Sequence, residues 1–144
     1  MIYGIDTNIL VYILDSLCPE NERCKFILDN LSEEFLIALN PTVMHEVYTV
    51  LVYARKWERD EARRRLTGLL KDPYVMFHNQ TKGVSILGLH LANKYKIRGR
   101  DALILSNLIT NKVNMMYTHD EEVKKLKEIA WRDRKLTIKD PIKT

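Results

Sequence analysis

Four short apolar runs, at residues 1–5, 35–39, 74–77 and 114–117, are separated by stretches with the length and spacing of helices. With no two-residue hairpin turn visible between them, the connections predict βαβ crossovers and a mostly parallel sheet. Right-handed crossovers then place helices on both faces. A further apolar run at 136–138 is a candidate fifth strand, so the expectation is an α/β fold with a sheet of four or five strands.

Local chemistry supports the helical segments. Asp6-Thr7-Asn8 offers cap groups ahead of a helix reaching Leu14, and Asn40-Pro41 is an N-cap followed by proline at the first helical position. Asn40-Pro41 opens a helix to about Trp57, and Asp72-Pro73 stops an arginine-rich helix at 60–70. Helices are also expected at 20–31, 81–95, 100–110 and 121–127. A chain of 144 residues without repeat, linker or low-complexity tract is read as one domain, residues 1–144.

Composition narrows the function less than the fold. A net charge of +4 and a pI near 9.0 are compatible with a polyanionic partner without demanding one. Cys18 and Cys24 form no C-x-x-C pair, so a zinc site or disulfide framework has no support. No apolar stretch reaches the ~18 residues of a membrane span, which makes a cytoplasmic protein with no membrane partner the expectation.

Four acids stand out. Ligands of open parallel sheets bind beyond the carboxyl ends of strands, where Asp6 follows the first strand and Asp120 the fourth. Each is also a good helix N-cap. Glu46 is the only acid between Asn40 and Trp57, and helical spacing sets it beside Val43, Val50 and Tyr53, away from a solvated stripe. Asp101 projects towards Ile104, Leu105 and Leu108. A carboxylate in such a place must be paired, protonated or metal-bound. A salt bridge is the structural alternative for Glu46, and an N-cap role for Asp101.

If the four converge, each pair 4 Å apart repels by about 4 kcal/mol at an effective dielectric of 20. A positive group must compensate. An all-oxygen donor set suits a hard cation, Mg²⁺ or Mn²⁺, which can activate water and stabilise charge on a phosphate.

At these residues the chain resembles the PIN-domain family, and in size and layout the VapC-like toxins. The matching blocks are Ile5-Asp6-Thr7-Asn8-Ile9-Leu10-Val11-Tyr12, Pro41 through Glu46 to Leu51, Arg100-Asp101-Ala102-Leu103-Ile104, and Met116-Tyr117-Thr118-His119-Asp120-Glu121-Glu122. The resemblance implies a Rossmann-like sheet and Mg²⁺- or Mn²⁺-dependent endoribonuclease activity with water as nucleophile. It implies Asp6 and Asp101 as principal ligands, Glu46 and Asp120 as further ligands, and a possible fifth acid at Glu122. Thr7, Asn8 and Thr118 fit the family's polar supports. Val123 departs from the pattern, where an aromatic is more usual. A small antitoxin and a homodimer are the implied partners, with RNA as substrate.

Arg98 and Arg100 flank Gly99 and are the candidate substrate contacts, whereas Arg63–Arg65 and Lys124, Lys125 and Lys127 read as solvated faces. The histidines show no ligand spacing, and His119 reads as a surface loop residue. A dehalogenase-like phosphatase needs a second aspartate where Asn8 stands, and the Gly-x-Gly-x-x-Gly and Walker patterns are missing. The alternative from another class is an RNA- or protein-binding module with little or no nuclease activity.

Overall fold

The computed structural model describes residues 1–142. Six strands form one sheet: β1 (Ile2–Ile5), β2 (Leu36–Leu39), β3 (Val75–Phe77), β4 (Met115–Tyr117), β5 (Glu128–Trp131) and β6 (Arg134–Lys139). Their order is β3-β2-β1-β4-β6-β5, parallel throughout except for the β5–β6 pair. The chain runs outward from β1 to β3 on one side and returns to β4 on the other. The reversal of strand order therefore falls between β1 and β4, whose register pairs Ile5 with Tyr117. A crevice opens at that switch point, at the carboxyl ends of the strands.

Around the sheet lie α1 (Thr7–Leu14), α2 (Asn21–Cys24), α3 (Phe26–Asp29), α4 (Pro41–Thr49), α5 (Arg59–Leu70), α6 (Lys82–Tyr95), α7 (Gly99–Thr110) and α8 (Glu121–Lys124). The core is continuous and aliphatic, with Ile5, Ile9, Leu10, Ile37, Leu39, Ile104, Leu105 and Leu108 shielded from water. Two glycines set how closely α7 approaches. A Cβ on Gly4 of β1 would stand 2.5 Å from Leu108 Cδ1, and one on Gly88 of α6 would stand 3.3 Å from the Leu103 Cα. Helix α7 is thus clamped between the sheet and α6, which holds its N-terminus at the switch point.

Three local departures from expectation have physical causes. The sheet carries a sixth strand because β5 and β6 form a hairpin across Arg132-Asp133, a two-residue turn that sequence reading held to be missing. Arg132 takes the positive φ of 55° that such turns require, without the glycine or asparagine that usually signals them. The helix expected at 20–31 is two short helices meeting at Lys25. Its first turn is pinned by the Asn21 amide, which donates to the carbonyls of Tyr12 at 2.7 Å and Ile13 at 3.1 Å. Finally, α4 continues as a π-helical segment, Val50–Ala54, in which the Arg55 N–H donates to the Val50 carbonyl. The wider turn lets Arg55 reach the buried Asp15 at 2.7 Å, tying the end of α4 to the end of α1.

Cys18 and Cys24 are both buried and free. Among the described residues, no helix is long and apolar enough to cross a membrane.

Candidate metal centre

Asp6 leaves β1 and caps α1, its Oδ1 accepting from the Thr7 N–H at 2.7 Å. Its other oxygen accepts from the Thr118 hydroxyl, also at 2.7 Å. Thr118 follows β4, is wholly buried, and accepts at the same hydroxyl from the Asp120 N–H at 3.1 Å. One threonine therefore links the two strand-end acids. Asp120 in turn caps α8 by accepting from the N–H groups of Glu122 and Val123.

Asp101 does not cap its helix. Arg98 occupies that position, and Asp101 lies in the first turn of α7, where the positive end of the helix dipole favours a carboxylate. Its side chain is 2% exposed, beside the buried Ile104, Leu105 and Leu108. Glu46 differs from its expected setting. Its stripe runs from the buried Val43 past the half-buried Val50 to the exposed Tyr53, so Glu46 stands at the rim of a cleft with its side chain 37% exposed. The Thr7 hydroxyl donates to it across 39 residues of sequence.

Two guanidinium groups draw these acids together. Arg100 donates through Nε and Nη2 to Glu46, through Nη1 to Asp101 at 2.6 Å, and through Nη2 to Thr7 Oγ1 at 2.8 Å. The same Nη2 lies 3.5 Å from Asp6 Oδ1. Arg98 donates to Asp101 Oδ2 at 2.9 Å and to Asp120 Oδ2 at 3.0 Å. The salt bridge weighed for Glu46 is thus present, and both arginines read as substrate contacts here hold carboxylates.

Electrostatics separates the acids. Burial raises the Asp6 carboxyl above the usual aspartate range and the nearby Asp101 adds to it, outweighing the hydrogen bonds of Thr118 and Thr7 and the charge of Arg100. For Glu46, partial burial acts upward, but hydrogen bonds from Arg100 and Thr7 and the Arg100 charge carry it below its ordinary value. Burial alone would lower Arg100; its carboxylate partners overcome that and raise it.

The cleft, roughly 350 Å³, is lined by Asp6, Thr7, Asn8, Glu46, Arg100 and Asp120 among others. The donor set fits a hard divalent cation in kind and in charge. All its donors are oxygens, and four acids against two arginines leave a formal charge of −2 (−4 + 2). The amide oxygen of Asn8, a residue lining the cleft, is buried and accepts no hydrogen bond from the described residues. As the side chains stand, no group of three or more acids, histidines or cysteines among the described residues is arranged to hold an ion, because Arg100 stands between the acids.

The remaining candidates lie elsewhere. Glu122 is exposed, pairs with Lys125 at 3.0 Å and stays outside the cluster. His119 lies 2.8 Å from the partly buried Asp140, which also holds Lys124 at 2.7 Å. Arg63 and Arg64 pair with Asp60 and Glu61 on an exposed face, as a solvated charge run does.

Comparison with known proteins bears on the fold and the family. The chain is similar in fold to VapC20 of Mycobacterium tuberculosis, described as a sarcin–ricin loop-cleaving toxin, with a TM-score of 0.72 at 13% identity over 88% of this chain and 95% of that one. A chain of the Rickettsia felis VapBC2 complex matches with a TM-score of 0.69 at 18% identity over 97% and 98%. A chain of FitAcB from Neisseria gonorrhoeae gives 0.65 at 16% over the full length of both. No curated protein matches the chain by sequence. The PIN-domain family model, however, matches residues 3–129, the span that carries all four acids, and the chain belongs to the PIN-domain family.

Proposed function

We propose that this protein is a divalent-metal-dependent endoribonuclease and the toxin of a toxin–antitoxin pair. The observation that carries the reading is that Asp6, Glu46 and Asp120, from three separate elements, line one cleft at the sheet's switch point, with Asp101 of α7 joined to them through Arg98 and Arg100. Mg²⁺ or Mn²⁺, held by Asp6 and Asp101 with Glu46 and Asp120 as further ligands, supplies charge stabilisation at phosphorus and a more acidic water.

The chain's own groups do the rest. Thr118 and the Thr7 N–H fix both oxygens of Asp6, so its orientation precedes any ligand. Glu46, partly exposed at the rim, or Asp120 is the carboxylate that aligns an attacking water in this reading. Arg98, 65% exposed at the mouth, and Arg100 are the contacts for an RNA phosphate in this reading. Products then carry 5′-phosphate ends, and 2′,3′-cyclic phosphate ends would contradict the scheme. The likeness to VapBC- and Fit-type structures supports an antitoxin as partner, and the resemblance supports a homodimer in the cytoplasm.

One observation favours a second reading. Arg98 and Arg100 neutralise the acids internally, as they would in an RNA- or protein-binding module that does not cut. Melting of the wild type and Asp101→Asn, each titrated with Mn²⁺ and with EDTA, separates the two when paired with cleavage of generic single-stranded RNA. The nuclease reading expects a metal-dependent rise in melting temperature and cleavage for the wild type alone. Absence of both in the wild type would favour the binding module.

A further inference from the structure

A cation already stands among the acids of the cleft, and it belongs to the chain. Arg100 commits all three of its nitrogens. Glu46 Oε2 and Asp101 Oδ1 take hydrogen bonds from no other side chain described, and Asp6 Oδ1 takes only the Thr7 N–H besides. Those three oxygens come from three different elements and belong to three of the four acids that the metal reading assigns as ligands. A guanidinium cannot shed its charge by deprotonation. Arg100 and the metal therefore compete for the same oxygens as like charges, and both cannot be accommodated there.

We infer that Arg100 is an internal competitor that closes the metal-free site, and that cation loading requires its guanidinium to leave. This rests on the reading of the acids as a metal site. The geometry makes the exit feasible. Arg100 is the second residue of α7, its side chain is 34% exposed, and Glu46, which takes two of its nitrogens, lies at the rim. When it leaves, Asp6 keeps Thr118 and the Thr7 N–H, and Asp101 Oδ2 keeps Arg98 at 2.9 Å. The two buried carboxylates thus stay oriented while Asp101 Oδ1 and Glu46 Oε2 come free. The local charge moves from −2 to −3, which strengthens the pull on a dication.

Mn²⁺ binding to the RNA-free, full-length protein tests this, read from the electron paramagnetic resonance signal of free Mn²⁺. Arg100→Gln, shown folded by circular dichroism, is expected to bind at least about tenfold more tightly than the wild type, the equivalent of one charge-assisted hydrogen bond no longer forfeited. Arg100→Lys, which keeps the charge but not the fork, should fall between. In the wild type itself, the Arg100 Nε–H resonance should be resolved and protected in EDTA and lose that protection at saturating Mg²⁺. A wild type that binds Mn²⁺ with no gain in Arg100→Gln, or an Nε–H still protected at Mg²⁺ saturation, overturns the competition alone. Failure of both wild type and variant to bind Mn²⁺ overturns the metal reading beneath it.

Discussion

Replacing Thr118 by valine removes one hydroxyl and keeps the shape, and the structure fixes what that costs. The side chain is fully buried, and its single oxygen donates to Asp6 at 2.7 Å while accepting from the Asp120 N–H at 3.1 Å. A hydrogen bond to a charged group contributes about 1.5–3 kcal/mol, and water at the half-exposed Asp120 replaces much of the second bond. Thr118→Val should therefore lose about 2–3 kcal/mol at pH 7 in EDTA, which lowers the melting temperature of a chain this size by roughly 5–10 °C. The loss should depend on pH in a defined direction. The folded pKa of Asp6 is already raised, chiefly by burial, and losing the Thr118 bond raises it further because that bond favours the charged form. The added penalty is then full above both folded values. It fades as pH falls through them towards the ordinary aspartate range, where the folded carboxyl is neutral. In an Asp6→Asn background the charge is gone, and the same substitution should cost only about 1 kcal/mol. Urea denaturation of the four proteins across pH 4–8 checks both statements. A loss under about 0.5 kcal/mol at pH 7, or an equal loss with and without the Asp6 charge, would refute the reasoning.

Three further outcomes follow from packing and burial. Gly88→Ala sets a methyl 3.3 Å from the Leu103 backbone, which cannot swing aside, and should lose about 1–3 kcal/mol in chemical denaturation. Gly68→Ala, on the exposed face of α5 with nothing within 4 Å of the new Cβ, should gain about 0.5–1 kcal/mol in the same assay. Burial pushes the Cys24 thiol up to about 11 and raises Cys18 as well, so a thiol reagent at pH 8 should label neither until the chain unfolds.

What sequence disclosed, and what it did not, divides by range. Apolar runs, caps and proline stops act within a few residues, and from them the parallel sheet and the position of Asp6 and Asp120 beyond strand ends could be read. The sixth strand was hidden because Arg132-Asp133 reaches the required backbone without the residues that advertise it. The π-helical end of α4 was hidden because its partner contact, Arg55 with Asp15, spans 40 residues. The reach of Arg100 to Glu46 and Asp6, across 54 and 94 residues, is longer still. An arginine next to a buried aspartate is the only local sign that a chain has furnished its own counter-charge. Glu46 shows the limit of helical projection, since spacing gives a side chain's direction but not whether another element covers it.

Treating helix cap and metal ligand as competing roles for Asp6 set up a choice the residue does not have to make. A carboxylate offers about four lone-pair sites. Asp6 gives one oxygen to the Thr7 N–H and the other to Thr118, and still presents an edge to Arg100. The two roles differ in what they ask of its charge. Capping needs only an acceptor oxygen, which asparagine supplies as well. Holding a cation needs the negative charge, which burial makes costly when nothing balances it. Asp6→Asn should therefore be as stable as the wild type or more so in EDTA, and should lose any metal-dependent rise in melting temperature. A large loss of stability in EDTA would mean that the cap and the Thr118 bond depend on the charge itself. The acid would then be in place for the fold, and the case for a metal at this cleft would rest on Asp101 and Glu46.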